Sequence, residues 1–106
     1  MAKATNGVKE KSWMEKAWPE GAEAFGNLYS VTQEKGVLDP KTRLLIMLAA
    51  ASLQRCRHCV SHQLERLKTE VGATDREIAE AMMLASLSAA GTNLAWAKEV
   101  FEERLG

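Results

Sequence analysis

Apolar residues recur three and four positions apart along most of this chain, the spacing that lines one face of an α-helix, and no sustained alternation marks a strand. Trp13, Met14 and Ala17 fall on one face of a first short helix, which Trp18-Pro19 interrupts. Pro19 suits the first position of a second helix reaching Lys35, with Ala22, Phe25, Leu28, Tyr29 and Thr32 as its stripe and Gly36 as its stop. Asp39-Pro40 predicts the start of a third helix, Asp39 as N-cap and Pro40 at the first helical position. A fourth helix is expected from near Arg55 to Arg57 until Glu70, closed by Gly72. Thr74-Asp75-Arg76-Glu77 reads as a capping box opening a fifth helix. Gly91 is expected to end it, with Thr92 or Asn93 opening a last helix that carries Leu94, Trp96, Ala97, Val100 and Phe101.

The fold class that follows is all-α, a compact bundle of about six helices, in a single domain over residues 1–106 with a frayed start over 1–7. The third and fifth segments, "LLIMLAAASL" and "REIAEAMMLASLSAA", are apolar almost all round. So small a domain cannot bury both, and their Ala and Ser content permits close helix approach, so a homo-oligomer assembling through apolar helices is expected. Trp13, Trp18 and Trp96 read as core or interface anchors, and Met82 and Met83 as core packing.

Composition narrows the function classes. Fourteen Lys and Arg balance fourteen Asp and Glu, so no basic footprint for nucleic acid is present. The apolar run from Leu44 to Leu53 spans ten residues, against ~20 for a bilayer, and no signal-peptide pattern precedes it. A cytoplasmic protein without membrane or nucleic-acid partners is expected, and in that compartment a close Cys pair more often serves redox chemistry or metal binding than static cross-linking.

Both cysteines and both histidines lie between Cys56 and His62, in "CRHCVSH". A Cys-x-x-Cys at a helix start has free backbone N–H groups and the positive end of the dipole to favour thiolates, and Arg57 and His58 add cationic character. Residues three apart on a helix are neighbours, so Cys56 and Cys59 can join in a disulfide, and His62 stands near enough to Cys59 to shuttle a proton. Dithiol chemistry is the leading reading, with Cys59, Cys56, His62 and His58 as candidate catalytic residues and no cofactor. Two buried thiols beside incidental histidines, or a metal site using Cys56, Cys59 and His62 that lacks a fourth ligand, are the alternatives.

The stretches "DPKTRLLIMLAAASLQRCRHCVSHQ" and "GATDREIAEAM", with the lead-in "PEGAEAFGNLYSVTQEKGVLDPKT", resemble the alkylhydroperoxidase D-like, or carboxymuconolactone decarboxylase-like, all-helical family over roughly residues 13–103. The resemblance implies a helical subunit assembling into trimers or hexamers. It also implies disulfide-linked peroxidase or reductase activity on a small peroxide or disulfide. Cys59 would attack the peroxide, Cys56 would resolve the sulfenic acid, and a dithiol or lipoyl-bearing partner would restore the thiols. Redox members carry a Glu twelve residues before the first Cys and a His four residues after the second; those positions here are Leu44 and Gln63.

One extra residue between Cys59 and Gly72 allows a shifted helix register in which His62 takes the place of the family's His. Without that shift His62 points about 100° away, at 3.6 residues per turn. Leu44 moves no proton in either register. The expected function is therefore a thiol–disulfide oxidoreductase or weak alkyl hydroperoxide reductase. The alternatives are a non-catalytic oligomeric scaffold of the same fold and a metal-binding module. The lactone decarboxylase branch fits less well, since its members generally act without Cys-x-x-Cys.

Overall fold

A computed structural model describes residues 12–106, and the expected frayed start over 1–7 lies outside the described residues. Six helices and no strand occur among the described residues: α1 (Trp13–Ala17), α2 (Pro19–Glu34), α3 (Pro40–Leu53), α4 (Arg57–Thr69), α5 (Asp75–Ala95) and α6 (Lys98–Leu105). The chain divides into two compact units, Met1–Val37 and Leu38–Gly106.

In the first unit α1 packs on α2. Ser12 caps α1 in a capping box, with its hydroxyl accepting from the Glu15 N–H and its own N–H donating to the Glu15 carboxylate at 2.7 Å. Pro19 begins α2 as its first residue. Trp13 and Trp18 stand exposed, so neither is a core anchor within the chain.

In the second unit α3 packs against both α4 and α5. Asp39 caps α3 as its sequence predicts: one carboxylate oxygen accepts from the Thr42 N–H at 3.1 Å and the other from the Thr42 hydroxyl at 2.7 Å. Thr74 and Glu77 form the expected capping box at α5. Glu77 also pairs with Lys41 of α3 at 2.8 Å, tying the starts of the two helices together. The core is Leu44 and Leu48 from α3, Leu67 from α4 and Ala73, with Leu45, Val60, Leu64, Ile78 and Met82 packed around it. Met82 therefore packs as expected, whereas Met83, the next residue on the helix, is turned outward.

The end of the chain departs from the sequence pattern. Gly91 does not stop α5, which continues to Ala95, and the last helix opens at Lys98 rather than at Thr92 or Asn93. A helix tolerates one interior Gly at a cost of about 1 kcal/mol, and Ala89, Ala90, Leu94 and Ala95 around it are strong helix formers. Thr92 does not cap; its hydroxyl donates to the Ser88 carbonyl one turn back, at 3.2 Å. Trp96 sits at the junction of α5 and α6, exposed.

Candidate functional site

The junction of α3 and α4 is made by three residues, and Arg55 is the one that turns the chain. It lies at φ 59°, left-handed backbone that usually selects glycine. Its N–H donates to the Ser52 carbonyl at 3.1 Å and the Cys56 N–H to the Ala51 carbonyl at 3.0 Å. Those two bonds are a Schellman motif, which satisfies carbonyls at the end of α3. Cys56 is thus both the last residue of the α3 termination and the N-cap of α4.

The predicted placement of the dithiol at a helix start therefore holds. Cys56 and Cys59 are joined as a disulfide, with their Cα atoms 5.2 Å apart. The Cys56 Sγ accepts from the Cys59 N–H at 3.2 Å, in the position where a Ser or Asp oxygen would cap the helix. Both cysteines are half-buried, and Arg55, Arg57, His58 and His62 are exposed around them. His58 and His62 lie one turn apart and share the outer face of α4.

The register question has a definite answer. Gln63 is only 7 % exposed and His62 is exposed, so α4 is not shifted and His62 does not take the inward position. Gln63 stands four residues after Cys59, and Leu67 four beyond that, on one buried stripe. Gln63 is the buried polar residue of this core, and its Oε1 has no hydrogen-bond partner. Leu44, at 2 % exposure, is a core residue beside Leu48 and Leu67. Among the described residues no three His, Cys, Asp or Glu side chains are grouped to hold a metal ion, so Cys56, Cys59 and His62 are not assembled as ligands.

One feature of this site was not foreseen, and the burial of a second, Gln63, turned on the helix register. The left-handed Arg55 has no local signal, since the pattern calls for Gly there. Gln63 had a signal in its spacing from Cys59, which places a long polar side chain on the core face directly below the second cysteine.

The sequence profile of the carboxymuconolactone decarboxylase family matches residues 19–103. The chain belongs to that family. A protein of Paracoccus denitrificans described as "uncharacterized protein 4 in cox locus" is 34% identical over 77 residues, 73% of this chain and 68% of that protein. A crystal structure of a Methanobacterium thermoautotrophicum protein superposes with a TM-score of 0.72 at 34% identity, covering 81% of this chain and 96% of that one. The family's all-helical fold and the Cys-x-x-Cys disulfide occur here together, and the resemblance seen in the sequence is family membership. Among the described residues no helix is long and apolar enough to cross a membrane.

Proposed function

We propose that this carboxymuconolactone decarboxylase family member is a cytoplasmic thiol–disulfide oxidoreductase with weak alkyl hydroperoxide reductase activity, working as a homo-oligomer. The observation that carries the reading is the Cys56–Cys59 disulfide at the N-terminus of α4, half-exposed, with the exposed Arg55, Arg57, His58 and His62 near it in the sequence. A helix start favours thiolate over thiol, which is what exchange chemistry needs.

The cycle is as follows. The Cys59 thiolate attacks the hydroperoxide, breaking its O–O bond; Cys59 becomes a sulfenic acid and an alcohol leaves after taking a proton. Cys56 then attacks that sulfur, forming the disulfide and releasing water. A dithiol reductant, free or lipoyl-bearing, attacks the Cys59 sulfur and expels Cys56 as thiolate, and a second attack within the reductant returns both protein thiols and leaves it oxidised. The Cys59 N–H that meets Cys56 Sγ supports this order, because the better-stabilised thiolate is the better leaving group. His62 or His58, both exposed on α4, serves as the proton shuttle for the thiol.

The burial of Leu44 favours a second reading, an oligomeric scaffold without turnover, since apolar packing stands where a proton-relaying carboxylate is expected. The two separate on one experiment. The reduced protein is mixed with an organic hydroperoxide or a small disulfide, and free thiols are counted with time. Oxidoreductase function predicts loss of two thiols per chain, abolished by Cys59→Ser. A Cys59→Ser protein with unchanged kinetics would remove Cys59 from the nucleophile's role, and thiols inert to both oxidants would leave the scaffold.

A further inference from the structure

We infer that Gln63 is a positioning residue for the dithiol, its side-chain oxygen accepting the Cys59 S–H once the disulfide is reduced. The inference rests on the proposed dithiol–disulfide cycle and adds to it a partner for one of the two sulfurs. Gln63 is more than nine-tenths buried, and its Oε1 is the buried side-chain oxygen left without a partner among the described residues. Such an acceptor carries a desolvation cost with nothing set against it. It lies one turn beyond Cys59 on the inward stripe of α4, and helical side chains lean toward the helix N-terminus, over the turn before them.

In the oxidised protein neither sulfur carries a hydrogen, so the orphaned oxygen has no donor from the pair. Reduction adds two electrons from the external dithiol, breaks the S–S bond and leaves one proton on the pair, at Cys59, with Cys56 as thiolate. Cys56 then sits as the helix N-cap, where the Cys59 N–H favours its thiolate. Cys59 retains its proton and donates it to Gln63 Oε1. The buried acceptor is thus unpaired in one redox state and paired in the other, which biases the equilibrium toward the dithiol. It also keeps Cys59 protonated more of the time, which restrains its attack on peroxide.

The test compares wild type with Gln63→Met, which removes the acceptor at similar volume, and Gln63→Glu, which keeps an oxygen there. Each protein is equilibrated in dithiothreitol redox buffers and the fraction of disulfide is read. Gln63→Met is expected to shift the equilibrium about tenfold toward the disulfide, ~30 mV for a two-electron couple, and Gln63→Glu is expected not to shift it in that direction. A role confined to packing would change thermal stability and leave the potential within threefold of wild type, and that result overturns the inference. A second readout needs no redox cycling: the infrared S–H stretch of reduced Cys56→Ser, whose remaining thiol is Cys59. A band lowered in frequency, and returned to the free-thiol position by adding Gln63→Met, supports the hydrogen bond; a band already at the free-thiol position refutes it. Wild type that fails to equilibrate with dithiols would defeat the proposed function, while the S–H band would still decide the role of Gln63.

Discussion

Arg55 holds a backbone conformation that costs an L-residue roughly 1–2 kcal/mol and costs glycine nothing sterically. Its side chain is exposed, so the expense is local to the turn. Arg55→Gly is therefore expected to raise stability, by about 0.5–1 kcal/mol after glycine's larger unfolded-state entropy is set against the relief. Gly72, at φ 61°, is the converse case: space is open around it, so Gly72→Ala should cost about 1 kcal/mol through the backbone alone. Urea denaturation of both variants checks the pair, and a destabilised Arg55→Gly would mean that the arginine side chain contributes more than its backbone costs. At this scale the sequence was legible where a residue acts through its own chemistry. Asp39 and Thr74 cap helices as their side chains predict, whereas Cys56 caps α4 without being a usual N-cap residue and Arg55 is left-handed because the Schellman bonds of the α3–α4 junction demand it. The inward turn of Gln63 depended on a helix register that the extra residue between Cys59 and Gly72 left open.

The starts of α3 and α5 depend on carboxylates, and this makes stability depend on pH. The Thr42 hydroxyl and N–H hold the Asp39 carboxyl below its ordinary pKa. Hydrogen bonding and charge from Lys68 do the same for Asp75, and Lys41 with the Thr74 N–H for Glu77. A pKa lowered on folding contributes stability above the unfolded value, about 4 for these groups, and that contribution is lost as pH falls through the folded value. The urea midpoint should accordingly fall between pH 6 and pH 3, and Glu77→Gln should flatten that fall; a midpoint independent of pH would contradict it. For α5, Gly91→Ala should stabilise the helix by up to about 1 kcal/mol, because an added Cβ meets nothing within 4 Å among the described residues. The continuation of α5 past Gly91 was hidden because glycine is a strong stop only where the surrounding residues offer a cap. Here Thr92 turns its hydroxyl back into the helix, and Ala95 extends it.

At the scale of the whole molecule, the apolar helices predicted to be hydrophobic all round keep much of that surface outside the chain's own core. Ile46 on α3 and Met83, Leu84 and Leu87 on α5 are exposed, Leu87 at 70 %. Surface of this kind is expected to be covered by other copies of the chain. Sedimentation equilibrium should give a mass of three or six chains, and Leu87→Glu should lower it while circular dichroism retains the helical content. A wild-type protein sedimenting as a monomer at micromolar concentration would refute the assembly. The helices and their order were legible because the three-and-four spacing recurs along most of the chain, and the boundary between α5 and α6 was not. Assembly was legible only as a surplus of apolar faces, since spacing within one chain does not say which copy meets which.

In the proposed function Cys56 and Cys59 cycle between dithiol and disulfide. Mass spectrometry of the protein equilibrated across dithiol redox buffers tests it most directly. A dithiol–disulfide cycle gives a reversible two-electron transition with a single intramolecular Cys56–Cys59 disulfide per chain, abolished in Cys59→Ser. Thiols that stay reduced until they pair between chains, or that oxidise irreversibly to sulfinic acid, would contradict it.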